Sequence, residues 1–168
     1  QQKGLSFDKD GLIARSGTID KVLLNQLNGH PYYRLEPPKS LGREFFERHQ
    51  RPLLEGRPIT DSLATFTEHI AIQIADAIKA VPQGKLLITG GGALNTFLIE
   101  RLRQHTHHEI IVPDTMTVNY KEALIFAFLG LLRLKGKTNV LCSVTGAPSD
   151  SCSGRIWQPE PSLDNNLV

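Results

Sequence analysis

The residues best placed to do chemistry lie in ITGGGALN, positions 88 to 95, where Gly90, Gly91 and Gly92 follow one another. A short apolar run, KLLIT at 85–89, precedes them, and a helical pattern, NTFLIERLRQH at 95–105, follows. Read as strand, glycine turn and helix, this is where open α/β sheets receive ligands. Backbone without Cβ atoms lets a ligand come close, and the N–H groups of a helix N-terminus suit phosphate. The run lacks the Lys-Ser/Thr pair of a Walker loop, and Asn95 breaks GxGxxG. Spacing alone leaves two readings open: a loop that touches a nucleotide, or a tight turn with no ligand.

Three other stretches carry candidate groups. PPKSLGRE, 37–44, sets Lys39, Ser40 and Arg43 in a loop stiffened by two prolines. Arginine suits carboxylates and phosphates through its planar fork, although a solvated connector that begins a helix reads the same way. In NYKEA, 119–123, Glu122 is expected at the start of a buried helix. There it would either stabilise the helix dipole or hold a hydroxyl or water. His105, His107 and His108 resemble a metal site only in composition, and no metal is expected there. His69 reads as a helix-packing residue rather than a ligand.

These groups need elements to position them. Apolar spacing predicts helices over 19–28, over about 42–49 and over 60–81, the last with a stripe of Leu63, Phe66, Ile70, Ile74, Ile78 and Val81 facing inward. Strands are expected at 85–89 and 109–112, with a helix between them burying Phe97, Leu98 and Leu102. That order implies a parallel crossover. A nearly all-apolar helix over about 120–135 should be buried on most sides, and 138–145 should be extended. Pro37-Pro38 favours extended backbone, and the tail from Gln158 reads as frayed. The class is α/β, rich in helix and poor in strands. Three regions are expected: 1–58, helices and loops; 59–157, the α/β core; and 158–168, a flexible tail.

Composition narrows the function. The 168 residues suit about one domain, and 40% hydrophobic with 21% charged residues is ordinary for a globular chain. A net charge of +2 and 7% aromatics argue against a nucleic-acid surface. The longest apolar run, Ala123 to Leu132, falls short of the ~20 residues a membrane span needs. Cys142 and Cys152 make no disulfide framework, so the cytoplasm is the expected compartment. The chain begins Gln1-Gln2 rather than with Met, which suggests a piece of a longer protein.

Taken in order, FDKDGLIARSG, HPYYRLEPPKSLGREFF, LATFTEHIA, ITGGGALNTFLIERL, YKEALIFAFLGLLRLKGKTN and SVTGA resemble the C-terminal part of anhydro-N-acetylmuramic acid kinases nearly end to end. The resemblance implies part of an RNase H-like, actin-like ATPase fold, with two such domains around a nucleotide cleft. It implies ATP with Mg2+, the substrate 1,6-anhydro-N-acetylmuramic acid, and a cytoplasmic role in peptidoglycan recycling. Gly90, Gly91, Gly92, Ala93 and Asn95 match the adenosine-side loop. Glu122 matches an acidic residue near the sugar and the attacking water, and Lys39, Ser40 and Arg43 match the loop that shapes the sugar side.

The match departs at PSDSCSGRIW, 148–157, where relatives are more apolar. The family's GTSxDG phosphate loop and its catalytic aspartate are not in this sequence. Asp8 and Asp10 do not replace that aspartate, so no catalytic residue is assigned and the chain alone is expected to be inactive. Its implied partners are the missing N-terminal half and a second copy in a homodimer. Two other classes of function remain: a non-catalytic module that binds nucleotide or sugar, and a structural or dimerising domain.

Overall fold

The computed structural model describes residues 6–36 and 39–157. The readings of Pro37-Pro38 and of the tail from Gln158 lie outside the described residues. In chain order come a 3-10 turn at Lys9–Gly11, α1 (Leu12–Arg15), α2 (Lys21–Asn28) and a second 3-10 turn at Pro31–Arg34. Next are α3 (Arg43–Phe45), a π-helical segment (Phe46–Gln50), α4 (Arg51–Leu54) and α5 (Ile59–Ile78). The α/β portion follows: β1 (Lys85–Leu87), a 3-10 turn at Gly91–Leu94, α6 (Thr96–His105) and β2 (Glu109–Ile111). α7 (Thr115–Leu134) and α8 (Cys142–Thr145) complete the order. By contacts the chain divides into two compact units, Gln1–Asn119 and Tyr120–Val168.

In the first unit β1 and β2 pair in parallel, with Lys85 opposite Glu109 and Leu87 opposite Ile111. The helix between them agrees with the expected strand, helix, strand order, and the fold is helix-rich with a two-stranded sheet. The core is Ala71 and Ala75 of α5 against Leu102 of α6, with Ile74, Leu86, Ile88, Leu98 and Ile110 packed around them. Ile99, 4% exposed, is buried beside Leu102; the sequence pattern had assigned that place to Phe97 and Leu98, which are half-buried.

The ends of the elements follow from their caps. Asp20 lies outside α2 as its cap, and its carboxylate accepts from Val22 N at 2.9 Å and Leu23 N at 3.0 Å. These backbone donors, with the Arg57 guanidinium, hold its carboxyl below the ordinary range. The helix expected over 42–49 runs on to Leu54, because the π segment absorbs an extra residue without ending it. α5 stops at Ile78.

The largest difference concerns which face of α5 is covered. Its buried residues are Ser62, Ala64, Thr65, Thr67, Glu68, His69, Ala71 and Ala75. The stripe of large apolar residues is only half-buried, and Val81 is 56% exposed. Small side chains let α1, α2 and α6 come close, and bulky ones are left on the flanks. The same close approach occurs at Gly17, where a Cβ would collide with the backbone carbonyl of Thr60. Gly17→Ala is therefore expected to destabilise the chain by about 2 kcal/mol, read from a urea midpoint, since neither backbone can yield cheaply.

α7 begins five residues before the position expected from hydropathy. Asp114 starts it, accepting from Thr117 N at 3.0 Å and from Thr117 Oγ1 at 2.8 Å. Nor is α7 buried on most sides: Leu124 is 72% exposed and Phe126 69%. In the second unit the return segment covers part of it, where Arg133 Nε donates to Gly154 O at 2.8 Å and Asn139 Nδ2 to Leu129 O at 3.2 Å. That short return cannot wrap a helix of 20 residues. The stretch 138–145 is not a strand either. It makes one antiparallel bridge, Val140 to Ser151, and turns helical at Cys142, where Asp150 Oδ1 accepts from the backbone N–H at 2.7 Å.

Candidate functional site

The glycine run sits at the C-terminal end of β1, as expected, but it does not enter α6 directly. Gly90 has φ 80 and ψ 179, a conformation open essentially to glycine alone. Gly91–Leu94 then make one 3-10 turn, closed by Ala93 N to Gly90 O at 3.0 Å and Asn95 N to Gly92 O at 3.1 Å. Those two bonds do not engage the N–H groups of Gly91 and Gly92. A Cβ built on Gly90 or Gly91 meets nothing within 4 Å, so open space faces this backbone. Backbone without Cβ atoms, facing open space, permits close approach by a ligand. Ala93 is 4% exposed and anchors the turn inward. Asn95 caps α6, its Oδ1 accepting from Leu98 N at 3.0 Å.

Lys39 and Arg43 line one groove of about 1160 Å3, together with Tyr33, Gln50, Phe66 and His69. The glycine run does not line it. Lys39 Nζ donates to Tyr33 O at 3.1 Å and to Leu35 O at 2.8 Å and lies 5.5 Å from the centre of the Tyr32 ring. It therefore braces the loop. The Arg43 side chain is 89% exposed, with one long contact of 3.5 Å to Glu47, so its fork can meet an anion. Ser40 is exposed.

Glu122 lies in the second unit, seven residues into α7 and exposed. The expectation that it stabilises the first turn of a buried helix is corrected, because Asp114 holds that end. A role toward water or sugar does not depend on the dipole.

Two polar clusters escaped the reading of motifs. At the groove floor His69, 2% exposed, bonds through Nδ1 to Asn28 Oδ1 at 2.6 Å and through Nε2 to Tyr33 Oη at 2.9 Å and Gln50 Nε2 at 3.3 Å. Asn28 Oδ1 also accepts from Gln73 Nε2 at 3.0 Å. Gln50 Nε2 donates chiefly to Tyr33 Oη, at 2.7 Å, so an imidazole that donates from Nδ1 to Asn28 and accepts at Nε2 from the Tyr33 hydroxyl completes the chain, which assigns the neutral tautomer. Burial holds its pKa down to about 4 and pushes the Tyr33 hydroxyl up. The expected packing role of His69 agrees with this.

The second cluster surrounds Glu68, 4% exposed. Arg101 pairs with it through Nε and, at 2.7 Å, through its other nitrogen, and His105 Nε2 lies 2.8 Å away. Burial pushes the Glu68 carboxyl upward, but the bonds from Arg101 and His105 outweigh it and hold the group below its ordinary range. His105 is thus a hydrogen-bond partner of Glu68, and His108 Nδ1 accepts from Gly84 N at 3.2 Å. The available sequence signal was Arg101 and His105, four apart on one helix face, with an acid, Glu68, on the preceding long helix.

Fold and loop together define a class: an α/β domain with a glycine run beyond the C-terminal end of a parallel strand, the place where open α/β sheets receive ligands. The comparisons make this specific. The family model described as anhydro-N-acetylmuramic acid kinase matches residues 1–159. Proteins named anhydro-N-acetylmuramic acid kinase from Aliivibrio fischeri and Saccharophagus degradans are 38% and 35% identical, each aligned over 94% of this chain. One from Acidiphilium cryptum is 31% identical over 96%. The chain belongs to the anhydro-N-acetylmuramic acid kinase family. It spans just under half the length of these relatives, 45 to 46%.

Proposed function

We propose that this chain is the C-terminal part of an ATP-dependent kinase. The whole enzyme would add water across the 1,6-anhydro bond of 1,6-anhydro-N-acetylmuramic acid and transfer a phosphoryl group from ATP to O6. The products are N-acetylmuramic acid 6-phosphate and ADP, in cytoplasmic peptidoglycan recycling. The observation that carries the proposal is the family match together with the open glycine loop at the end of β1.

In this reading Gly90, Gly91, Gly92 and Ala93 offer backbone to the adenosine side of ATP, while Asn95 fixes the helix end behind them. Arg43 supplies a cation toward the sugar's carboxylate or phosphate, Lys39 and Ser40 shape its loop, and Glu122 orients sugar or water. Such transfer depends on positioning and charge neutralisation. Mg2+, when bound with ATP, would supply charge neutralisation at the transferred phosphoryl group. The fold proposed for the whole is the paired RNase H-like, actin-like ATPase. No helix among the described residues is long and apolar enough to cross a membrane.

Gly91→Val tests the loop cleanly, because its Cβ has room in the folded chain. We expect nucleotide affinity, read by calorimetry, to fall roughly tenfold with the unfolding midpoint unchanged. Unaltered affinity would remove the loop from the nucleotide site.

A further inference from the structure

Residues 8–15 converge on the first turn of α6, immediately after the glycine loop. Asp10 has φ 57, the one positive φ outside glycine among the described residues, and its carbonyl accepts from Thr96 Oγ1 at 2.9 Å. Gly11, at φ 72, comes so close that a Cβ there would collide with Asn95 Oδ1 and Phe97 Cβ. Asn95 Oδ1 is thereby trapped between Gly11 and Leu98 N. The Asp8 carboxylate ties the turn to α1, accepting from Ile13 N at 2.8 Å and Ala14 N at 2.9 Å. Beyond it Arg15 grips both carboxylate oxygens of Glu100, at 2.5 and 2.7 Å, with its guanidinium 5.2 Å from the centre of the Phe97 ring. The Thr96 and Arg15–Glu100 ties are exposed, and exposed ties contribute little stability. A left-handed aspartate costs some. What the arrangement fixes is the position of Asn95 and Thr96, and hence the end of the loop from Gly90 to Leu94.

We propose that the Asp8–Gly11 turn and the Thr96 hydroxyl form a clamp that holds the glycine loop in its ligand-receiving shape. Its purpose rests on the nucleotide reading of that loop; its existence does not. Asp10 and Thr96 are positioning residues, acting through the backbone of 90–95 and not by touching the ligand.

The test compares Thr96→Val with Thr96→Ser in the 168-residue chain, by hydrogen exchange at the amides of 91–95 and by calorimetric titration with ADP. Thr96→Val keeps the shape and loses the hydroxyl, so the fold should survive; Gly11→Ala is the stronger variant, carrying the collision with Asn95. The clamp predicts faster exchange at 91–95 in Thr96→Val with α5 unchanged, and ADP binding about fivefold weaker. Thr96→Ser should restore both. Exchange unaltered in Thr96→Val overturns the clamp. Faster exchange with unaltered ADP affinity, while Gly91→Val still weakens binding, overturns its positioning role. If the unsubstituted chain does not bind ADP, the nucleotide reading of the loop fails, and the clamp's purpose fails with it.

Discussion

Glu68→Gln is expected to lower the stability of the folded chain by about 3 kcal/mol, because removing one partner of a buried ion pair strands the other. Glutamine keeps the shape of Glu68 but not its charge. Arg101, whose side chain is 22% exposed, would then lie beside a neutral amide that accepts with one oxygen and presents an NH2 to the guanidinium. Because Arg101 bonds both carboxylate oxygens and His105 one of them, either amide orientation leaves a donor of the cluster without its acceptor. The cluster joins α5 to α6 at the centre of the first unit, so local relaxation cannot relieve the loss. A urea titration at pH 7 measures it, and a midpoint within error of the parent would show that the pair contributes nothing net. Arg101→Met combined with Glu68→Met should cost far less than either single change, since the charge and its partner leave together.

Stability should also fall steeply as pH drops from 7 to 4, and His69 should account for much of the fall. Its folded pKa is about 4 against 6.5 for the free side chain. Between those values the unfolded chain binds a proton that the folded chain refuses, so stability rises with pH across that window. A gap of this size corresponds to as much as about 3 kcal/mol. The structural cause is plain: a proton on Nε2 would turn an acceptor into a donor facing the Gln50 amide. Glu68 acts in the same direction at lower pH. Its depressed carboxyl stabilises the fold above the unfolded value and loses that contribution as pH falls through the folded one. His69→Gln should flatten the slope between pH 6.5 and 4 while leaving the acid limb below it. An unchanged slope in that variant would assign the transition elsewhere.

How far the fold could be read in the sequence depended on which physics governed each element. α6 and its two strands were legible, because a helical pattern and two short apolar runs, the first flanked by glycine, agree with one another there. α5 was legible as a helix but not in orientation. Hydropathy gives most weight to Phe66, Ile70 and Ile74, whereas close packing selected Ala64, Ala71 and Ala75, whose small size lets neighbouring helices approach. The start of α7 was hidden because Thr115, Thr117 and Val118 are β-branched and poor helix formers; Asp114 was the overlooked cap. The π segment at Phe46–Gln50 has no sequence pattern to announce it.

The candidate site divides in the same way. The glycine loop was legible because Gly90 needs a conformation other residues avoid, and such a need shows in composition. The bracing role of Lys39 was not, since its partners are the carbonyls of Tyr33 and Leu35, and any residue carries a carbonyl. The role of the Asp8–Gly11 turn was not legible. Its contact with Asn95 and Thr96 spans more than eighty residues, beyond the reach of local pattern.

The most direct test is to incubate ATP, magnesium and 1,6-anhydro-N-acetylmuramic acid with this chain alone, and with this chain fused behind the complementary part of the Aliivibrio fischeri relative. Appearance of N-acetylmuramic acid 6-phosphate is followed by mass spectrometry. The account predicts no turnover by the chain alone and turnover by the fusion, reduced when Gly91→Val is introduced. A folded fusion that makes no sugar phosphate, or a chain that makes it unaided, would contradict the account.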